Sequence, residues 1–211
     1  MIRKSYLACS AGLIVALAAC GGDSTGPSGN ISLADATKLA ADMDAVSNLG
    51  ASDLGLGASF SIGVAPNGST ASAVSTFTHA FDVMHPCPKG GTVQLAGTVT
   101  GSGDQVARNL TIDAEATKTD KDCAFQAKDG GTITVNGNPN IAYKGHLNIV
   151  NGAFVGLQTQ SHEGSFKWVR EGSSGTCNIK VTSEFNPTTH TVTVTGNVCG
   201  HLINETHTRA G

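Results

Sequence analysis

Charge is scarce in this chain: Asp, Glu, Lys and Arg make up only 14% of 211 residues, against about 25% in an average soluble domain. The formal net charge is −3, so the sequence has no basic balance to suit a general nucleic-acid binder. Aromatic residues are only 5% of the chain. Sugar-binding surfaces depend on exposed aromatic rings, so a carbohydrate module is disfavoured. There is no C-x-x-C, no H-x-H, no H-E-x-x-H and no phosphate-binding P-loop, which removes the common local signatures of redox, zinc and nucleotide chemistry. Only one long apolar run exists, which excludes a polytopic helical membrane protein. What fills the space is glycine, with 27 copies, together with many Thr and Ser. That composition excludes a coiled coil and points to a mainly β chain.

The single apolar run is at the start. Arg3 and Lys4 precede a stretch from Tyr6 to Ala19, the order of a charged region and a short hydrophobic region in an export signal. The stretch is too short for a comfortable membrane span, which takes about 20 residues. It closes Leu17-Ala18-Ala19-Cys20 and continues Gly21-Gly22. This resembles the lipobox of bacterial lipoproteins. The resemblance implies that residues 1–19 are removed as a signal peptide and that Cys20 carries the acyl chains that tie the protein to a membrane. One chain alone gives only reversible attachment, so stable residence takes two or more. In the Gram-negative lipoproteins that the signal resembles, an Asp after the Cys favours the inner membrane; with Gly21 there instead, the resemblance implies the outer membrane of the cell envelope. Cleavage removes Arg3 and Lys4 and no acidic residue, leaving 11 basic against 16 acidic side chains, a net −5.

Residues 20–31 read as the lipidated Cys and a flexible tether, because Gly21 to Asn30 (GGDSTGPSGN) has no large apolar side chain. A single β-rich domain is expected over 32–211. It opens with a helix at about 32–48: Leu33, Ala36, Leu39, Ala40, Met43 and Val46 recur at spacings of three and four. Ser32 is placed to cap it, Asp35 falls in the first turn, and Leu49-Gly50 offers a stop.

The period then changes to two. Ile179, Val181 and Phe185 alternate with Asn178, Lys180, Thr182 and Glu184; Leu110, Ile112 and Ala114 alternate with Thr111, Asp113 and Glu115. One-sided alternation marks antiparallel strands with one wet face. Turn signals recur at Gly101–Asp104, Asp129–Gly131, Asn136-Gly137, Asn151-Gly152, Gly172–Gly175 and Asn186-Pro187. Of these, Asn151-Gly152 is the strongest two-residue hairpin signal. Thr92–Gly97, Thr132–Gly137 and Thr191–Gly196 share a pattern whose terminal Gly suggests a bulge or turn at a strand end. About ten or eleven strands between roughly 58 and 207, with short connections, predict an antiparallel meander. Edges must be managed, so a barrel, half-barrel or strongly curved sheet is expected, with a two-sheet sandwich as competitor.

Cys9 leaves with the signal and Cys20 is the anchor, which leaves Cys87, Cys123, Cys177 and Cys199. An exported chain can hold disulfides. Four cysteines allow three pairings; local pairing, Cys87–Cys123 and Cys177–Cys199, suits a meander. Cys199 has the phase of Thr193 and Thr195 rather than of Val192 and Val194, so a bulge near Gly196-Asn197 is expected. His79–His85 and His201–His207 are each six residues apart. On a straight strand that is about 20 Å, too far to share a metal ion, so no metal site and no cofactor is expected. Lys118, Asp120, Lys121 and Asp122 look like a solvated turn. Phe77, His79 and Phe81 share one strand face and are the candidates to line a pocket for an apolar or amphiphilic ligand.

These features support three readings: a membrane-anchored envelope lipoprotein with a structural or assembly role and no catalysis, a carrier of an apolar or amphiphilic ligand, and an envelope hydrolase whose residues converge from distant strands. An internal void of several hundred Å³ separates the second from the first.

Overall fold

A computed structural model describes residues 31–50, 53–54, 74–104, 109–151 and 153–208. Cys20, the signal and almost all of the tether lie outside the described residues, as do any strands between 55 and 73. The described chain runs helix first, then strands only. Helix α1 is Leu33–Val46. The strands are β1 (Val74–Pro86), β2 (Thr92–Asp104), β3 (Asn109–Lys121), β4 (Cys123–Gln126), β5 (Thr132–Val150), β6 (Ala153–Phe154), β7 (Gln158–Arg170), β8 (Ser173–Asn186), β9 (Thr191–Val198) and β10 (His201–Thr208).

All ten belong to one antiparallel sheet in the order β1-β2-β3-β5-β7-β8-β9-β10, with the short β4 and β6 paired onto β5. The sheet is an open, curved meander with β1 and β10 as its two edges. It is neither a closed barrel nor a two-sheet sandwich. The alternation read from sequence sets its two faces. Val93, Leu95, Val99, Ile112, Ile141, Tyr143, Phe166, Trp168, Ile179, Val181 and Val194 are all buried, while their neighbours in sequence are mostly exposed or half-buried.

Helix α1 packs its stripe of Ala36, Leu39, Ala40 and Met43 into that core. Ser32 caps it as expected, its Oγ accepting from the Asp35 N–H. Its end comes earlier than Leu49-Gly50 suggested: Ser47 is the C-cap, and its hydroxyl donates to the Met43 carbonyl at 2.6 Å. A side-chain bond to the last turn replaces the glycine stop. Two histidine rings fasten the helix to opposite edges of the sheet. His201 on β10 meets the Ile31 carbonyl at 2.8 Å through Nε2, and His85 on β1 meets the Val46 carbonyl at 2.8 Å through Nδ1. The helix therefore bridges the gap the open sheet leaves.

Several expected turns prove to be strand. Gly101–Asp104 is the end of β2, fully paired with β1. Gly101 is there for space, because a Cβ on it would fall 2.4 Å from the Phe77 ring. Asn136-Gly137 lies inside β5, at a register shift against β7 between Gly137 and Ile141 that also holds the cis Asn138–Pro139 peptide. The turn expected at Gly172–Gly175 is instead Glu171-Gly172, since Arg170 already pairs with Ser173. Two expectations for the Thr–Gly pattern also change. Gly97 and Gly196 are interior to β2 and β9, not at strand ends. Gly196, at φ +137°, sits where a Cβ would come within 2.1 Å of the Lys180 carbonyl oxygen, so strand proximity, not turning, selects it. The hairpin read at Asn151 forms, with Val150 paired to Ala153 and Asn151 at φ +53°; Gly152 lies outside the described residues.

Candidate functional site

Both expected disulfides are present, Cys87–Cys123 and Cys177–Cys199. The first ties the end of the β1 strand to the start of β4. The second needs no bulge: the β8–β9 register runs unbroken from Ile179/Val198 to Asn186/Thr191. Cys199 instead occupies the two-residue turn between β9 and β10, with φ +55°. Leaving the strand frees it from the strand's alternation, which is why its phase looked wrong.

The sharpest departure from the sequence reading is at Lys118 and Asp120. They are not in a solvated turn. Both side chains are fully buried, and Lys118 Nζ lies 2.7 and 3.0 Å from the two Asp120 carboxylate oxygens. The signal was available in the alternation. Ile112, Ala114 and Ala116 set an inward phase on β3, and 118 and 120 continue it; only Lys121 and Asp122 reach the surface. Burial lowers the Lys118 pKa, against the raising effect of Asp120.

His162 on β7 belongs to the same interior. It is buried, edge-on to Tyr143 with ring centroids 5.4 Å apart. Neither of its ring nitrogens meets a hydrogen-bond partner among the described residues. Burial, helped by the nearby Lys118 charge, pushes its pKa down to about 3. The ring is thus neutral at ordinary pH. Tyr143 donates to Gln160 Oε1 at 3.3 Å, and burial, with Asp44 on the helix adding to it, raises its hydroxyl pKa. The Trp168 indole N–H and the Ser183 hydroxyl also lack partners among the described residues. A fully sealed ion pair and an unprotonated imidazole offer no access to a substrate. The ion pair lies within β3, and the His162 ring makes its cross-strand contact with Tyr143 on β5.

The helix N-terminus has its own polar clamp. Asp35, buried, accepts from Arg170 Nη1 at 2.9 Å, from the Lys128 N–H at 2.8 Å and from the Ser32 hydroxyl. Burial raises its pKa, but these donors outweigh it and hold the carboxyl below its usual value. Arg170 also reaches Asp129.

At the other end of the core is a recess of about 60 Å³. Leu49, Leu54, Ile112, Leu147, Phe185 and Val192 give it apolar walls; Asp44, Tyr143, Gln160 and Ser183 add polar groups. The volume suits a few water molecules and is far below the 300–1,000 Å³ of a usual ligand pocket. Phe77, His79 and Phe81 are not among its walls. All three share one face of β1, but Phe81 is in the core, Phe77 is half-buried over Gly101, and His79 is exposed. Among the described residues no three His, Cys, Asp or Glu side chains gather as a metal site. The histidines at 85 and 201 brace the helix instead.

No family model, no curated protein and no solved structure matches the chain.

Proposed function

We propose that this chain is a membrane-anchored lipoprotein of a bacterial cell envelope, held by acyl chains on Cys20, whose β domain has a structural or assembly role and not a catalytic one. The observation that carries the role is the filled interior. The face of the sheet that a carrier would use for cargo is occupied by the protein's own helix and side chains, and about 60 Å³ remains in the recess beside the helix. The interior titratable groups support the same reading, because Lys118 and Asp120 have no exposed side-chain surface. The cross-linked sheet agrees with life outside a reducing compartment. The anchor itself rests on Leu17-Ala18-Ala19-Cys20 and the charged, apolar segment before it. Metabolic labelling with a radioactive palmitate tests it. Label is expected in the wild-type protein and absent after Cys20→Ser, with the variant no longer processed to the mature form. An unlabelled wild-type chain would overturn the anchor. Native mass spectrometry of the purified protein tests the role: a stoichiometric co-purified small molecule would overturn the non-carrier reading.

A further inference from the structure

Eight large apolar side chains are exposed among the described residues; Leu33, Val74, Met84, Val169 and Leu202 are spread over α1, β1, β7 and β10, and the other three lie together. Val150, Phe154 and Leu157 are 37%, 49% and 49% exposed and belong to one element, the β5–β6 hairpin and the residue stretch leaving it. From Leu147 to Gln160 the chain has no Asp, Glu, Lys, Arg or His. Elsewhere the outer face of the same strands carries cross-strand ion pairs, Lys144–Glu115 and Lys180–Glu163 among them. The hairpin could leave water without stripping a charge. The recess lies at its base: Leu147, just before β5 reaches the hairpin, and Gln158, just after Leu157, both line it, together with Leu49, Phe185 and Val192. An uncharged apolar projection and an apolar opening thus share one end of the sheet.

We propose that this end of the domain is a lipid-contacting surface, with the β5–β6 hairpin lying at headgroup depth in a bilayer. The proposal builds on the reading of the chain as a membrane-anchored envelope protein. Two arguments favour lipid as the occupant over a protein partner. Val150 and Phe154 lie on opposite faces of the sheet where β6 pairs with the end of β5, beside Leu110 of β3, so apolar surface projects both ways; a fluid lipid interface wraps such a shape, whereas a protein would need a cleft around it. The second is reach. The chain enters α1 at the far end of the sheet, where Ile31 is held by His201 beside the Cys199-Gly200 turn. A strand of this length covers about 40 Å, and residues 20–31, fully extended, also cover about 40 Å. A chain anchored through Cys20 can therefore bring the hairpin down onto the same bilayer. Weak interfacial binding by apolar side chains adds to acyl chains in holding a protein at a membrane.

The test uses the chain from Gly21 to Gly211, exported with a different, non-lipoprotein signal so that its disulfides form; it retains every described residue and has no acyl group. Flotation is measured with vesicles of phosphatidylethanolamine and phosphatidylglycerol at 3:1 and with pure phosphatidylcholine vesicles. Wild type is expected to float with both, with little response to 0.5 M salt, and a Phe154→Ser/Leu157→Ser variant to lose at least tenfold in partitioning. Both positions are half exposed, and an unchanged urea midpoint by Trp168 fluorescence verifies that the variant is folded. A gentler Phe154→Leu variant should lose no more than threefold. No flotation at millimolar lipid, or equal flotation by the serine variant, overturns the proposal. So does a concentration-dependent dimer in sedimentation that the serine variant abolishes, since the hairpin would then be a contact between copies. Because this protein has no acyl chain, failure here leaves the palmitate result untouched, and an unlabelled Cys20 leaves this one untouched.

Discussion

The buried Lys118–Asp120 pair makes a quantitative demand. At an effective dielectric constant of about 20, unit charges 2.7 Å apart attract by about 6 kcal/mol. Removing each ion from water costs several kcal/mol. The two sides nearly cancel, so the pair as a whole contributes little to stability. Breaking it is different. Asp120→Ala leaves the Lys118 amine fully buried without its carboxylate, and the expected loss is about 3–5 kcal/mol. The double replacement Lys118→Met/Asp120→Leu substitutes well-packed apolar groups and is expected to lie between no change and a gain of a few kcal/mol. Urea titrations of the wild type, Lys118→Met, Asp120→Leu and the double variant, read by the fluorescence of Trp168, the single tryptophan, supply the four corners of the cycle. The reasoning fails if Asp120→Ala costs under 1 kcal/mol, since the ammonium would then have found water the structure denies it. It fails equally if the double variant loses the sum of the two single losses.

His162 predicts an acid-sensitive stability. Its pKa falls from 6.5 in the unfolded chain to about 3 in the folded one, so between these values the unfolded state binds the extra proton. The contribution is fully present above pH 6.5 and is lost as pH drops, by about 1.4 kcal/mol per unit. The wild-type protein should therefore lose about 3 kcal/mol more than His162→Leu between pH 6.5 and pH 4; parallel urea midpoints for the two over that range would sink the idea. For the disulfides, the loop-closure model gives about 3.4 kcal/mol for the 22-residue separation of Cys177–Cys199 and about 3.8 kcal/mol for the 36 of Cys87–Cys123. Paired Cys→Ala variants should lower the unfolding free energy from urea titration by those amounts, and a loss under 1 kcal/mol from either pair would contradict the model for that loop.

Much of the fold was written in periodicity. The helix stripe, the alternation of β3 and β8 and the Asn151-Gly152 hairpin all convey one dominant force each, burial or turn strain, and each appears where the residues put it. The misreadings share a cause. Gly101, Gly97 and Gly196 look like turn residues, yet what selects them is a neighbouring strand or ring that leaves no room for a Cβ, and that neighbour is far away in sequence. Lys118 and Asp120 were assigned by residue type when phase was the stronger guide. Cys199 was the reverse, assigned by phase although it stands in a turn. The recess was invisible in advance, since its walls come from the helix end and from five strands. So was the sheet's openness: alternation specifies which side chains face inward, not whether the first and last strands meet.

The helix that joins those two strands carries a temporal consequence. It leaves the ribosome before any described strand, yet the ring that holds its leading carbonyl, His201, arrives 170 residues later. No partial product can seat the helix by both ends. Contacts this distant in sequence slow folding, and they make the last hairpin a checkpoint: a polypeptide truncated before β10 would keep most of its strands and still lack one of the two anchors of its own lid.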